Sequence, residues 1–287
     1  MKIENSKYVA EFILEGAQLV SLKDKETGTE FIHDGKKGWG QHNPTLFPIV
    51  GKLRGGKTLI NGKEYEMSQH GVVRRAMFEL YEENATSITF KFEANEETLV
   101  HYPFKFTMYK TYELKDNEVV VSHRIVNNDE IPMVFGIGHH PAFKCPIYEN
   151  ETMSDYHIEF ECEEDLKLMK LDLSCGLFES GLYNNEGAKG NSYALPFDID
   201  TIGTLVFENL KSSYVSLVGP KHKVSVSTVG HPYYGIWHVA EQNFVCLEPW
   251  VTHSDTVDAD GIFENKVGMI TLEVGKSYLN TYSMRFE

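Results

Sequence analysis

Apolar and polar residues alternate with a period of two along much of the chain. In Ile88-Thr89-Phe90-Lys91-Phe92-Glu93 every second side chain is apolar, which gives one face to a core and the other to water. Phe104, Phe106 and Met108 alternate in the same way. The turn-forming Lys115-Asp116-Asn117 follows, and Val119 and Val121 resume on a return strand, as in a hairpin. Val224, Val226 and Thr228 repeat the pattern with serines among them. Near the end Ile270, Leu272 and Val274 alternate, Gly275-Lys276 turns the chain, and Tyr278, Tyr282, Met284 and Phe286 share one face. A 3.6-residue period is nearly absent. The pattern predicts an all-β fold of antiparallel sheets packed face to face.

No internal repeat, low-complexity tract or linker-like shift interrupts this pattern, so residues 1–287 are read as a single domain. Large β-sandwiches often run this long undivided. Residues 184–191 (Asn-Asn-Glu-Gly-Ala-Lys-Gly-Asn) read as a surface excursion. Regular strands spend their apolar faces on packing, so chemistry is expected where the alternation breaks. Four such stretches stand out, at 42–56, 68–76, 136–146 and 246–256, each dense in Gly, Pro, His or charge.

Charge narrows the function. With 27 basic against 42 acidic residues the formal charge is −15, the wrong sign for nucleic acid or an anionic membrane. Four cysteines with no Cys-x-x-Cys pair suit reduced, mostly buried thiols better than a disulfide framework. Met1-Lys2-Ile3-Glu4-Asn5 lacks the apolar run of a signal peptide, and no segment nears the ~20 apolar residues of a membrane span. A cytoplasmic protein is expected.

The third breaking stretch contains Phe135-Gly136-Ile137-Gly138-His139-His140-Pro141-Ala142-Phe143. Neighbours on a strand point to opposite faces, so at most one of the two histidines faces a given cleft. A hydrogen-bonded structural loop is as good a reading of these nine residues as a site. In Phe244-Val245-Cys246-Leu247-Glu248-Pro249-Trp250 an apolar strand runs into a carboxylate, which is either a solvated edge residue or a base tuned by desolvation beside Trp250. Ser68-Gln69-His70-Gly71-Val72-Val73-Arg74-Arg75 suits recognition of hydroxyls or an anion. Residues 43–54, from Asn43-Pro44 to Lys52-Leu53-Arg54, form a shaped loop ending in two cations.

Taken in order, these segments resemble the aldose 1-epimerase (galactose mutarotase) family, in particular its divergent mutarotase-related bacterial branch. The resemblance runs through Phe47-Pro48-Ile49-Val50-Gly51-Lys52-Leu53, Asn61-Gly62-Lys63-Glu64-Tyr65, His70-Gly71, His140-Pro141-Ala142-Phe143, Gly235-Ile236-Trp237 and Glu248-Pro249-Trp250. It implies a large twisted antiparallel β-sandwich, the galactose mutarotase-like supersandwich, with a sugar cleft on one concave face. It also implies Glu248 as general base, His140 as general acid, and His70, Arg74, Lys52 and Trp237 on the substrate side. Lys52 stands where relatives carry a sugar-binding arginine, and lysine lacks the two-pronged donor geometry of arginine. Ala142 stands where classical members carry tyrosine, implying a wider pocket wall there. The family's sugar-binding aspartate has no secure counterpart in residues 200–216.

The implied activity is interconversion of the α and β anomers of a free hexose such as galactose or glucose, with a small-molecule sugar as the partner and no cofactor. Glu (pKa ~4.3) and His (~6.5) suit an acid–base pair, and a bell-shaped pH dependence is expected, with its lower limb from the glutamate and its upper from the histidine. Two alternatives stay within sugar chemistry. Lys52, Arg54, Arg74 and Arg75 would hold the phosphate of a hexose 6-phosphate, or the chain would bind a sugar without turning it over. No metal is expected, since no His-x-x-x-His or His-Glu-x-x-His spacing occurs; His253 and Asp255 are the nearest approach to a ligand pair. The oligomeric state is not legible.

Overall fold

Alternation becomes architecture through pairing. In the computed structural model, which describes residues 1–36, 38–185, 187–240 and 242–287, the period-two segments are antiparallel strands. Ser87–Glu93 buries Ile88, Phe90 and Phe92 and leaves its other face half-exposed. Phe106–Lys115 and Glu118–Asn127 form the expected hairpin, with Lys115 opposite Glu118. Lys57–Ile60 and Lys63–Glu66 form a second, its two-residue turn made by Asn61 and Gly62, both at positive φ, as a hairpin of this twist requires.

Two sheets dominate. The larger has ten strands and runs from Ala188–Lys189 at one edge to Glu79–Glu83 at the other; at its centre Ser277–Phe286 lies between Lys223–Ser227 and Glu118–Asn127. The smaller orders Leu205–Glu208, Tyr233–Trp237, Phe244–Trp250, Gly138–His139 and Thr45–Leu46, with Ala142–Lys144 also pairing to Phe244–Trp250. One core joins Phe90, Met108, Tyr112, Val121, Val226 and Met284 of the larger sheet to Leu205, Phe207, Tyr234, Ile236, Val245 and Leu247 of the smaller. This is the all-β sandwich that the alternation predicts.

The smaller sheet is apolar on both faces. Along Phe244–Trp250, where every residue is buried, Val245 and Leu247 enter the main core. Phe244 and Cys246 pack with Ala142 on the opposite face, and Trp250 joins Leu46, Val50 and Val206 there. Glu248 belongs by parity to that second face. This strand is therefore regular, and the reading of residues 246–250 as a break in the alternation is corrected.

Three further readings change. The strand Ile270–Leu272 pairs with Met133–Phe135 and stops short of the exposed Val274, so it does not fold back on the final strand. Within residues 184–191, Ala188–Lys189 adds a short edge strand by pairing with Ser192–Ala194; Glu186 lies outside the described residues. Cys145 and Cys246 are buried, but Cys162 is exposed. Among the described residues no helix is long and apolar enough to cross a membrane.

Candidate active site

A cleft of about 490 Å³ opens on the outer face of the smaller sheet. Its floor is built by period-two geometry. Glu248 pairs with Gly235, Trp250 with Tyr233 and with Gly138, so the even-numbered side chains of Phe244–Trp250 line up beside the end of Gly138–His139. Adding a Cβ to Gly235 would bring it 2.6 Å from the Trp250 ring, and one on Gly138 would sit 2.8 Å from it. Glycine at both positions lets the indole lie flat on its neighbours.

His139 and His140 part company across the sheet, as their adjacency predicts. His139 turns inward, where Nε2 lies 2.6 Å from Asn280 Oδ1 and the ring stacks on His123 and Tyr282. His140 turns outward, with Nε2 3.2 Å from Glu248 Oε2. Trp39 stacks on the His140 ring at 4.5 Å, and Trp237 meets it edge-on at 5.6 Å. Both groups are buried, and His140 Nδ1 and Glu248 Oε2 have no hydrogen-bond partner in the protein. Burial pushes the Glu248 carboxyl well above its usual range, slightly opposed by the nearby Trp250 indole N–H. Burial, with His70 and Arg74 close by, pushes His140 well below its own. Burial thus makes both groups favour their neutral forms.

The rim comes from the first two breaking stretches, which are docked on each other. Phe47 bridges Gly71, His70 N–H donates to the Gly51 carbonyl and Val72 N–H to that of Phe47. A side chain at Gly71, at φ 76°, would run into the Phe47 carbonyl, so only glycine fits there. Next to it His70 is itself left-handed at φ 68°. Its Nδ1 accepts from Gly51 N–H, which puts its proton on Nε2, and its ring meets His140 at 5.8 Å and 90°. Burial and the Arg74 charge lower its pKa to about 3, so His70 is a neutral hydrogen-bonding group. Lys52 is held by Ser254, whose Oγ accepts from its backbone N–H.

All six expected site residues, Lys52, His70, Arg74, His140, Trp237 and Glu248, line this one cleft. The proposed phosphate cluster does not assemble as read. Arg54 turns away to the Ala259 carbonyl and Arg75 lines a separate cavity, leaving Lys52 and Arg74. Ala142 is fully buried against Phe244 and Cys246, so it is not a wall of the cleft. Residues 200–216 supply no carboxylate; among the described residues Glu248 is the cleft's only one. Asp255 is engaged by Lys266 Nζ at 2.8 Å and Arg54 N–H, which removes the His253–Asp255 pair as metal ligands. Sequence reasoning missed Trp39, Leu171, Phe178 and Ile199. One signal was available, since the chain has three tryptophans and all of them line the cleft.

A family model for aldose 1-epimerase matches residues 1–284. The chain belongs to the aldose 1-epimerase family. LacX of Lactococcus lactis is 30% identical over 280 residues, covering 93% of this chain and 92% of its own. A galactose mutarotase related enzyme from Lactobacillus acidophilus is 33% identical with a TM-score of 0.90, over 100% of this chain and 97% of that one. A galactose mutarotase-like protein from Lactobacillus casei reaches 0.92 at 28% identity, over 100% and 99%. Membership of the aldose 1-epimerase family supports a sugar epimerase role, and the fold is the galactose mutarotase-like sandwich.

Proposed function

We propose that this protein interconverts the anomers of a free hexose, with Glu248 and His140 exchanging protons with the sugar. The observation that carries this reading is the 3.2 Å approach of Glu248, the one carboxylate of the cleft among the described residues, to an imidazole, on a floor walled by tryptophans. The pair holds one proton in either of two arrangements of equal charge: carboxylic acid with neutral imidazole, or carboxylate with imidazolium. Burial by itself favours the first. A bound sugar offers hydroxyls to the open valences of both groups and brings the second within reach.

From that second arrangement Glu248 takes the proton of the C1 hydroxyl while His140 gives one to the ring oxygen. The C1–O5 bond breaks and an aldehyde forms. Rotation about C1–C2 and reversal of the steps on the other face yield the second anomer and restore the proton to His140. No net proton is drawn from solvent. His70 Nε2–H, Lys52 and Arg74 serve as donors to ring hydroxyls, and Trp39 and Trp237 cover the apolar C–H face. Polarimetry or NMR on freshly dissolved α-galactose and α-glucose tests the reading. Equilibration no faster than in buffer, for a sugar that binds, would leave a binding protein instead.

Lys52 and Arg74, two cations facing one carboxylate in an otherwise acidic chain, favour a second reading with a hexose 6-phosphate as substrate. Charge-assisted contacts contribute ~1.5–3 kcal/mol each, about ten- to a hundredfold in affinity. Arg74→Gln should then weaken the phosphosugar by that factor and the free sugar much less. Equal losses, with turnover of free hexose, retain the first reading.

A further inference from the structure

The proposed acid–base chemistry leaves unused one buried side chain next to its pair. Cys246 is two residues before Glu248 on Phe244–Trp250 and shares its face, and its backbone pairs with Ala142 and Trp237. The ligand atoms of His140, Cys246 and Glu248 all lie within 4.8 Å of one another, and all three residues are buried. One of the converging atoms, Glu248 Oε2, is buried without a hydrogen-bond partner. We propose that His140, Cys246 and Glu248 form a site for a thiophilic divalent cation of the zinc class, and that cation and sugar exclude each other.

The donor set selects the ion. Imidazole, thiolate and carboxylate together suit zinc, whereas magnesium and calcium take oxygen sets. His140 Nε2 and Glu248 Oε2, 3.2 Å apart, already have the separation of two ligands each about 2.0–2.2 Å from one zinc ion. The Cys246 sulfur completes three protein ligands, its proton passing to solvent as the metal–sulfur bond forms. The fourth position faces the cleft. A cation held there occupies both groups of the acid–base pair, so it inhibits anomerisation. This exclusion rests on the reading of the preceding subsection; the binding itself does not.

Cobalt(II) is the probe, because a thiolate ligand gives it a near-ultraviolet charge-transfer band that nitrogen and oxygen ligands do not. Titration of the full chain should saturate the band at about one equivalent, zinc should abolish it, and galactose should raise the apparent Kd for the cation. Cys246→Ser, or Cys246→Ala should the serine variant fail to fold, should lose the band and bind zinc at least tenfold more weakly by calorimetry. A Cys162→Ser/Cys175→Ser double variant should keep both. No one-equivalent band, a band that survives Cys246→Ser, or one lost in the double variant overturns the proposal. A band that requires Cys246 in a protein that equilibrates no sugar would keep the cation site and remove the anomerase reading. Sugar turnover with no band would do the reverse.

Discussion

His139 and His140 are neighbours in sequence and occupy opposite faces of one sheet, and the two faces are built to different ends. On the inner face polar groups bond one another within the core, although His123 Nδ1, His139 Nδ1 and Asn43 Nδ2 keep no partner. Asn280 Oδ1 meets both His139 Nε2 and His231 Nε2, Thr45 Oγ1 bonds His123 Nε2, and the fully buried Lys110 donates to the Asn43 carbonyl at 3.0 Å. On the outer face His140 and Glu248 approach each other without completing their hydrogen bonds. Burial lowers the pKa of both histidines, so desolvation alone does not distinguish them. Access does: both rings keep a buried Nδ1 without a partner, but His139 lies inside the core while His140 lines the cleft. A polar group bonded within a core stiffens a fold, and one that lines a cleft is free to meet a ligand.

The sharpest way to break this comparison is by mutation on each face. His140→Asn and Glu248→Gln should each slow anomerisation by ~100–10,000-fold, measured by polarimetry, with the folded circular dichroism spectrum intact. His139→Asn should instead lower stability by ~1–3 kcal/mol, the usual result of disrupting a buried hydrogen bond, and leave the rate within a few-fold. The opposite pattern would reverse the roles of the two faces. A His140 or Glu248 variant with more than half the wild-type rate would remove that residue from the mechanism.

The pH dependence sharpens it further. A second proton on the pair, or loss of the one it shares, should each abolish the reaction, so the rate follows a bell whose apparent values belong to the pair. Because burial lowers His140 and raises Glu248, the acid limb lies below the ordinary imidazole value and the alkaline limb above the ordinary carboxyl range. This exchanges the limb assignments expected from unperturbed groups. A rate that keeps climbing through pH 9 would point to a different base. A smaller effect is expected at Gly235, where Gly235→Ala should displace Trp250 and cost ~1–3 kcal/mol by overpacking, read as a lower Tm and altered tryptophan fluorescence.

The smallest effect concerns stability. The unfolded carboxyl of Glu248 ionises near 4.5 while the folded one is raised. As pH climbs above 4.5 the unfolded state releases a proton that the folded state retains, so folding loses stability up to the raised value. A glutamine amide in its place has no such proton to lose. Glu248→Gln should therefore raise Tm at pH 7–8 by a few degrees, with the gain gone near pH 4; a gain that persists there would have another origin.

Much of the fold was legible because two-residue alternation and antiparallel pairing are the same fact seen in one and three dimensions. Ile88–Phe92 and the hairpin at Asp116 needed nothing beyond the pattern. The site was legible in part. Each of the four breaking stretches contributes to the cleft, and the adjacency of two histidines on a strand set them on opposite faces. What failed has three physical causes. A strand buried on both faces, like Phe244–Trp250, shows no contrast between core and cleft, so Glu248 reads as the end of regular structure when it lies within it. Arg54 and Arg75 were grouped with Lys52 and Arg74 by spacing, but side-chain direction follows backbone dihedrals that spacing does not reveal. Trp39, Leu171 and Ile199 reach the cleft from loops and from short elements, through contacts distant in sequence.

The strand Glu79–Glu83 closes the larger sheet with one side unpaired, and all five of its residues are exposed. Leu80 and Tyr81 on that rim are apolar, but Glu79, Glu82 and Glu83 crowd it with negative charge. An open edge is a template for further strands, and charge along it is what keeps copies apart. The protein's colloidal behaviour is thereby tied to acidity: neutralising those glutamates, by acid or by replacement with glutamine, would leave an apolar edge ready to seed intermolecular β-pairing, and light scattering should rise under conditions in which the cleft is still intact.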